Sequence, residues 1–226
     1  MDVVADFAAS GAVHFPTVFG QDDMTALGEK LDAVLLGRPG RRLTGGVWTT
    51  VLPALTEIAA RLIGEGAFPV RAVAFDKTFE TNWAVAWHQD RTVAVQARVE
   101  TEGFGPWSTK DGVVHVAPPV DVLRHMVTLR LHIDPCGDDN APLKVALGTH
   151  RLGMVAADKA AEIAAARPSL VCYADAGDVW AYSTLILHAS DRSRSARRRR
   201  VLQIDYANQP LPGRLKWKGL DGGESA

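Results

Sequence analysis

The feature that most constrains the fold is a series of short β-like runs that begins after Pro69. Clusters of Gly, Pro and Asp separate the runs, which is typical of strands joined by turns. The predicted strands cover about 70–77, 83–87, 92–99, 113–117, 124–133, 143–147, 170–173, 179–187 and 199–206. Many short strands after a helical N-terminal third indicate a sandwich or barrel core with helices packed on it.

The first third of the chain has helical periodicity instead. Apolar residues recur at helical spacing over residues 24–35, and a second helix is predicted from about Leu52 to Ile63. The segment 38–46 between them is rich in Gly and Arg and is predicted to be a loop. One alanine-rich helix, 156–166, interrupts the strands. We therefore expect a mainly β protein with flanking helices.

Composition and charge narrow the class of protein. The 226 residues are 47% hydrophobic, which is enough for one core, and Lys plus Arg total 25 against 26 Asp plus Glu. The formal net charge of -1 gives no general attraction to nucleic acid. No apolar run approaches the roughly 18 to 20 residues of a membrane span. Cys136 and Cys172 form no CxxC motif, so we expect no thiolate zinc site and no disulfide framework, and we place the protein in a reducing cytoplasm.

The informative motif is the run Trp87-His88-Gln89-Asp90. Residues two apart in a strand point to the same face, so His88 and Asp90 would offer two ligands to one divalent metal. Such a triplet also arises by chance, and a third ligand is needed. His188, which ends the apolar run 179–187, is the best partner, although a core histidine bonded to a carbonyl is the alternative. Two histidines and one carboxylate form the facial triad of non-haem Fe(II) oxygenases.

An arginine cluster follows, at 192–200, and it opens the strand-like run 201–206. Most of these arginines are expected to lie on a solvated loop or to form a general anion-binding patch. An arginine at the start of a strand beside the His188 strand is different, because it can point into the barrel. There it could bind a dicarboxylate through a bidentate ion pair, which lysine would do less well.

Four motifs, the first of them already described, appear in a fixed order over about residues 70–210. They are Trp87-His88-Gln89-Asp90, the segment 140–150, Gly177-Asp178 with its strand to His188, and the pair Ser190 and Arg199. In this order they resemble the phytanoyl-CoA dioxygenase family of Fe(II)- and 2-oxoglutarate-dependent oxygenases, whose members read W-H-Q-D, N-G-P-L-x-V-x-P-G-S-H and G-D followed by a strand to L-H-x-S. Ala141 stands where the family usually has Gly, and Leu147 where it has Pro, which we expect to affect loop shape more than chemistry.

The resemblance implies a double-stranded β-helix, that is, a cupin-like jelly roll, in one oxygenase domain. Residues 1–69 would be a helical buttress, 70–210 the jelly-roll core and 211–226 a tail that ends in disorder. It also implies that His88, Asp90 and His188 are the catalytic iron ligands. The implied reaction uses dioxygen and 2-oxoglutarate to hydroxylate a small molecule, with release of succinate and CO2.

The resemblance further implies that Arg199 binds the distal carboxylate of 2-oxoglutarate, helped by the hydroxyl of Ser190. Arg200 competes for this role, but it shares a strand face with apolar residues, whereas Arg199 shares one with Gln203 and Asp205. Arg130 is a second rival, because it alternates with apolar residues on a predicted strand.

Two other residues fall where the family lines its pocket. They are Lys77 and Trp107, which could equally be a surface lysine and a core tryptophan. His150 is expected to cap a turn rather than to bind metal. The loops 38–50 and 101–121 are expected to cover the pocket and to set its selectivity.

Two other functional classes stay open. A cupin-like isomerase or hydrolase could use the same three ligands and would not need Arg199. A ligand-binding or sensor domain could keep the metal site without turnover. The sequence identifies neither the substrate nor the oligomeric state.

Overall fold

The computed structural model of the chain describes residues 2–46 and 48–220. Within these residues there are five α-helices and two short 3-10 helices, at Thr149–Leu152 and Ala157–Lys159. The α-helices are α1 Val3–Ser10, α2 Gln21–Leu35, α3 Leu52–Ile63, α4 Val120–Arg124 and α5 Ala160–Ala165. Helices α2 and α3 therefore form where apolar periodicity predicts them. The predicted helix 156–166 is divided into a 3-10 turn and α5.

The described residues also form thirteen strands. They are β1 Ala12–Phe15, β2 Gly40–Leu43, β3 Phe68–Lys77, β4 Val85–His88, β5 Val93–Val95, β6 Trp107–Lys110, β7 Val113–Val116, β8 Met126–His132, β9 Leu143–Ala146, β10 Ser169–Cys172, β11 Val179–Ser183, β12 His188–Ser190 and β13 Arg199–Ala207. A major sheet has the order β1-β11-β8-β13-β3-β2, and a minor sheet the order β10-β9-β12-β4. Strands β5, β7 and β6 form a third sheet. The chain crosses repeatedly between the major and minor sheets, so the predicted jelly roll is confirmed.

The two central strands of the major sheet, β8 and β13, have one apolar and one polar face. Their apolar face packs on the N-terminal helices and includes Leu129, Leu131, Leu202, Ile204 and Tyr206. Residues such as Leu31 of α2 and Leu55 of α3, both fully buried, complete this core. The opposite face carries Thr128, Arg130, Gln203 and Asp205 and looks toward the minor sheet. Strand alternation thus separates the hydrophobic core from a polar interior.

The N-terminal part contributes more than helices. Strands β1 and β2 are the two edges of the major sheet, and β2 lies inside the segment 38–46 that was predicted to be a loop. Gly40 pairs with Phe75 and Leu43 with Ala72 of β3. The prediction of a loop was wrong because glycine and arginine have low strand propensity, and only the distant partner β3 supplies the hydrogen bonds.

The predicted strand 179–187 is a shorter strand followed by a turn. Strand β11 ends at Ser183, the chain turns, and His188 then opens β12 in the minor sheet. His188 pairs there with His88 and Val145. The change of sheet places His188 opposite the other predicted ligands.

The predicted tail 211–226 is only partly a tail. Leu211, Leu215 and Trp217 are buried against the third sheet, and Trp217 bridges Val95 of β5. The predicted disorder of 221–226 lies outside the described residues. None of the described helices has the length and apolar character needed to cross a membrane.

Candidate active site

Three candidate metal ligands meet between the sheets. His88 ends β4 and His188 begins β12, and the two residues lie directly opposite each other in the strand register. Their ring centroids are 4.2 Å apart. One ligand atom from each of His88, Asp90 and His188 lies within 4.8 Å of the other two. The structure thus brings the three predicted ligands together, and their role in binding metal stays a prediction.

Both imidazoles are held in the orientation that a metal requires. The Nδ1 atom of His88 lies 2.8 Å from the carbonyl oxygen of Ala86, and that of His188 lies 3.0 Å from the carbonyl oxygen of Ile186. An Nδ1–H that donates to a carbonyl leaves Nε2 with a free lone pair. Burial lowers the pKa of His188 to about 4, although the Asp90 carboxylate opposes this shift. His188 is therefore neutral near pH 7, which is the form that binds metal.

The carboxylate of Asp90 has a cationic partner that the sequence analysis did not identify. Burial alone would raise the pKa of Asp90, but Arg71 and the two histidines outweigh it and hold the pKa below its ordinary value. A guanidinium nitrogen of Arg71 lies 3.8 Å from Asp90, and its Nε donates to Asp205 at 2.5 Å. Thr128 donates to the other oxygen of Asp205 at 3.0 Å. Strands β3, β8 and β13 thus orient a ligand that lies on a loop after β4.

Gln89, between the two ligands, fixes the backbone of this loop. Its amide nitrogen donates to the carbonyl oxygens of Leu185 at 2.6 Å and Gly153 at 2.8 Å. Its amide oxygen accepts from the backbone nitrogen of Val155 at 2.8 Å. Gln89 is 3% exposed, so it is a buried amide that connects the His88 loop to the turn before His188.

A cavity of about 550 Å³ opens beside the triad. Three buried cations, Lys77, Arg130 and Arg199, line its inner wall and are 1%, 7% and 3% exposed. None of them forms a salt bridge within the described part of the chain. Their hydrogen bonds go to neutral oxygens instead, such as Gln203 Oε1 at 2.9 Å from Arg130. Buried cations without counter-charges are costly, so this wall is suited to an anionic ligand.

Arg199 is the first residue of β13, and its side chain reaches the minor sheet. Its Nη1 donates to the carbonyl oxygen of Ala141 at 2.5 Å, while its buried Nε has no partner among the described residues. Ala141 has a φ of 53°, a left-handed conformation that favours glycine. Ala141, which stands where the family usually has Gly, therefore lies on a turn that presents its carbonyl oxygen to Arg199. The shape of this turn sets the position of that oxygen.

Arg200 lies on the other face of the sheet. It forms salt bridges with Asp134 at 2.8 Å and with Asp32 of α2 at 3.2 Å. A Cβ at Gly28 of α2 would lie 2.7 Å from its guanidinium, so the Arg200 side chain packs closely against this glycine. Arg200 therefore contacts the helical layer, as the strand alternation predicts.

Two more candidate residues line the same cavity. The hydroxyl of Ser190 on β12 is 3.5 Å from Lys77 Nζ, which donates to the carbonyl oxygen of Asp191 at 2.9 Å. Burial, and then the charges of Arg199 and Arg130, lower the pKa of Lys77 to about 8. The predicted alternative of a surface lysine at position 77 does not match its burial.

Trp107 lies elsewhere. It is on β6, packs with the apolar cluster under the third sheet and is not part of the cavity lining. The expectation that it lines the pocket does not agree with this placement, and its alternative reading as a packing residue does.

His150 contacts α1 through the carbonyl oxygen of Ala8. Of the two predicted covering loops, residues 40–42 and 110–111 reach the cavity.

Several solved structures have the same fold as this chain. AviO1 from Streptomyces viridochromogenes is 17% identical with a TM-score of 0.67, over 93% of this chain and 96% of AviO1. The epimerase SnoN of nogalamycin biosynthesis, in complex with Fe3+, alpha ketoglutarate and nogalamycin RO, is 15% identical with a TM-score of 0.67, over 94% and 90%. HygX from Streptomyces hygroscopicus, with nickel and 2-oxoglutarate bound, is 12% identical with a TM-score of 0.64, over 92% and 87%.

At these identities the structural likeness establishes the fold alone. No curated protein matches the sequence significantly. The family model of phytanoyl-CoA dioxygenase (PhyH) matches residues 47–201, which is more than half of the chain and includes the three candidate ligands together with Ser190 and Arg199. The chain therefore belongs to the phytanoyl-CoA dioxygenase family.

Proposed function

We propose that the protein is an Fe(II)- and 2-oxoglutarate-dependent oxygenase that hydroxylates a small molecule and releases succinate and CO2. The observation that carries this proposal is that one cavity contains both a two-histidine, one-carboxylate group and a wall of buried cations without counter-charges. Iron needs the first, and a dicarboxylate cosubstrate needs the second. The iron-bound and 2-oxoglutarate-bound neighbours support the same cofactors.

In this proposal each residue has a defined task. His88 and His188 would hold iron through their imidazoles, and Asp90 would hold it through its carboxylate. The bound iron and 2-oxoglutarate supply the oxidising chemistry, in which dioxygen is reduced and a substrate C–H bond is oxidised. Arg71 keeps Asp90 ionised and oriented, and Asp205 in turn holds Arg71.

The cation wall would bind the cosubstrate. Arg199 would form a bidentate pair with the distal carboxylate. Two observations support this role: its Nε is unpartnered within the described residues, and its Nη1 contacts only a carbonyl oxygen and a thiol. Ser190 and Lys77 would add a hydroxyl and a charge on the same side. Arg130, which shares the cavity, is the competing residue for this carboxylate.

Other reactions are compatible with the same residues. One structural neighbour is an epimerase, so the oxidised carbon need not retain a hydroxyl. Desaturation and ring closure are further reactions that the same cofactors would allow. A cupin-like isomerase or hydrolase would leave the buried cation wall without a use. A sensor domain could use this wall to bind an anion, and it is distinguished from an oxygenase by the absence of succinate release. The proposal includes a reducing cytoplasm, which the free, buried thiols of Cys136 and Cys172 support.

Anaerobic loading with Fe(II) and 2-oxoglutarate is expected to give the weak visible charge-transfer band of an iron-chelated 2-oxo acid. Admission of dioxygen should then release succinate, slowly without substrate and faster with the correct one. Mass spectrometry of the product distinguishes a gain of one oxygen from loss of two hydrogens or inversion. Tight zinc binding, with no band under any iron loading, would instead favour the cupin-like alternative.

The affinity for 2-oxoglutarate is expected to fall with increasing pH. Lys77 has a pKa of about 8, so it is protonated below that pH and loses its charge above it. The bound dianion favours the protonated form, so the decline is centred at or above pH 8. We expect a decrease of roughly 3- to 10-fold between about pH 7 and about pH 9.5 in the Ni2+ form, measured by calorimetry. Lys77→Met should make the affinity independent of pH, at the weak value that the wild type has at high pH. Lys77→Arg should make it independent of pH at the strong value that the wild type has at low pH. A wild-type profile that Lys77→Met leaves unchanged would exclude this role.

A further inference from the structure

A second cavity, of about 300 Å³, adjoins the first at the edge of the major sheet. It lies between the edge strand β2 and the hairpin of β6 and β7. Gly40, Arg41, Arg42 and Asp111 line both cavities, so the two lie side by side. A molecule that spans these four residues would contact both cavities.

The second cavity is strongly cationic. Arg38, Arg41 and Arg42 line it, and Asp111 is the one carboxylate in its described lining. Arg42 donates to Asp111 at 2.7 Å, and Arg41 donates to the carbonyl oxygen of Val34 at 2.5 Å. Among the described residues, neither Arg38 nor Arg41 has a salt-bridge partner. Of these three guanidinium groups, Arg42 alone pairs with a carboxylate among the described residues.

The neighbouring wall of the first cavity adds more positive charge. Lys110 donates to the hydroxyl of Thr92 at 3.2 Å, and Arg91 donates to the carbonyl oxygen of Val155. Burial, and then repulsion by Arg42 and Arg71, lower the pKa of Lys110. Burial is the larger cause of this depression, and the nearby guanidinium groups add to it. These charges are separate from Lys77, Arg130 and Arg199, which the cosubstrate would neutralise.

Arg42 is arranged to accept a further anion. Its Nη1 binds Asp111, but its buried Nε has no partner within the described residues. The Asp111 side chain is 55% exposed, and its φ of 50° places it at the tip of the β6–β7 turn. Water therefore screens this ion pair, and a ligand oxyanion with direct contact to several guanidinium groups can compete with it.

We propose that the second cavity is an oxyanion subsite and that the substrate carries a phosphate or carboxylate group that binds Arg38, Arg41 and Arg42. The reactive carbon of that substrate would lie in the first cavity beside the triad. This inference rests on the proposed oxygenase function for its second half. Arg38, Arg41 and Arg42 precede residues 47–201, which the family model matches, whereas Asp111 lies within that match.

The test is equilibrium binding of small anions to the protein loaded with Ni2+ and saturating 2-oxoglutarate. Nickel prevents turnover, and the cosubstrate fills the inner cation wall. The probes are phenyl phosphate, benzoate and the neutral benzyl alcohol, titrated by calorimetry. We expect phenyl phosphate or benzoate to bind at least about 10-fold more tightly than benzyl alcohol, with an affinity that falls as salt is added. The stronger of the two anions identifies the group as phosphate or carboxylate.

Variants locate the binding to the second cavity. Arg38→Gln and Arg41→Gln should each weaken anion binding by roughly 3- to 10-fold, and the double variant should reduce it to the level of benzyl alcohol. Asp111→Asn removes the repelling carboxylate and should strengthen binding by roughly 3- to 10-fold. Arg194→Gln, a surface arginine paired with Asp138 outside both cavities, is the matched control and should change nothing.

The outcomes separate the inference from the function. Equal affinity for all three probes, unchanged affinity in the Arg38 and Arg41 variants, or competition between phenyl phosphate and 2-oxoglutarate would each overturn the subsite. Failure of Ni2+ and 2-oxoglutarate to bind would overturn the proposed function instead, and the anion titration would then be repeated on the metal-free protein. Asp111→Asn is also a control for misfolding, because a misfolded variant would lose anion affinity, whereas we expect this variant to gain it.

Discussion

His188→Ala is expected to abolish iron binding and the charge-transfer band, and His88→Ala and Asp90→Ala should do the same. Removal of a residue that merely orients a ligand typically costs 10- to 100-fold in metal affinity, so loss of a ligand itself should cost more than about 100-fold. Succinate release should fall to background with each of these three variants. Equilibrium dialysis of Fe(II) under anaerobic conditions measures the first effect directly.

Two controls make this result specific. His125→Ala removes a histidine that contacts the carbonyl oxygen of Asp121 at the end of α4, outside the cavity lining, and it should leave iron affinity unchanged. Arg71→Gln should give an intermediate loss of roughly 10- to 100-fold, because it frees Asp90 without removing it. Circular dichroism should show an intact fold in all variants. Iron that stays bound after His188→Ala would mean that the ligand set is wrong.

The candidate metal ligands could be found from the Trp87-His88-Gln89-Asp90 motif and the resemblance, but strand alternation alone does not account for them. Asp90 lies on the loop after β4, and a turn separates the end of β11 at Ser183 from His188. Strand alternation does account for the distinction between Arg199 and Arg200, whose side chains contact opposite sides of the major sheet. The helices α2 and α3 were predictable for a similar reason, since one apolar face repeats along each.

The elements that sequence reasoning missed depend on distant partners. Strand β2 is rich in Gly and Arg and exists because β3 pairs with it. Arg71 has no motif, and its importance arises only when Asp90, 19 positions later, and Asp205 on β13 come beside it. Residues 211–220 contain turn-forming Pro and Gly, yet Trp217 is buried because β5 lies against it. A single sequence contains no local signal for these contacts.

The second large expected effect is the loss of 2-oxoglutarate affinity when Arg199 is replaced. If Arg199 forms a desolvated pair with the distal carboxylate of 2-oxoglutarate, Arg199→Ala leaves that carboxylate unpaired at a cost on the order of 2 to 5 kcal/mol, or roughly 30- to several-thousand-fold in affinity. Arg199→Lys keeps the charge but loses the planar fork, so an intermediate loss is expected. Calorimetry of the Ni2+ form with 2-oxoglutarate gives these affinities without turnover.

The other arginines serve as internal comparisons in the same titration. Arg194 and Arg197 lie on the exposed loop, so replacing either with Ala should change the affinity for 2-oxoglutarate little. Arg200→Ala removes contacts to Asp134 and Asp32, so it should lower the stability of the fold and leave the affinity for 2-oxoglutarate unchanged. Arg130→Ala is the decisive variant, because Arg130 lines the same cavity and its Nε is also unpartnered within the described residues. It should cost less than Arg199→Ala, since its Nη1 already binds Gln203. A larger loss at position 130 than at 199 would move the distal carboxylate from β13 to β8, while a large loss at 200 would contradict the strand alternation on which the whole site depends.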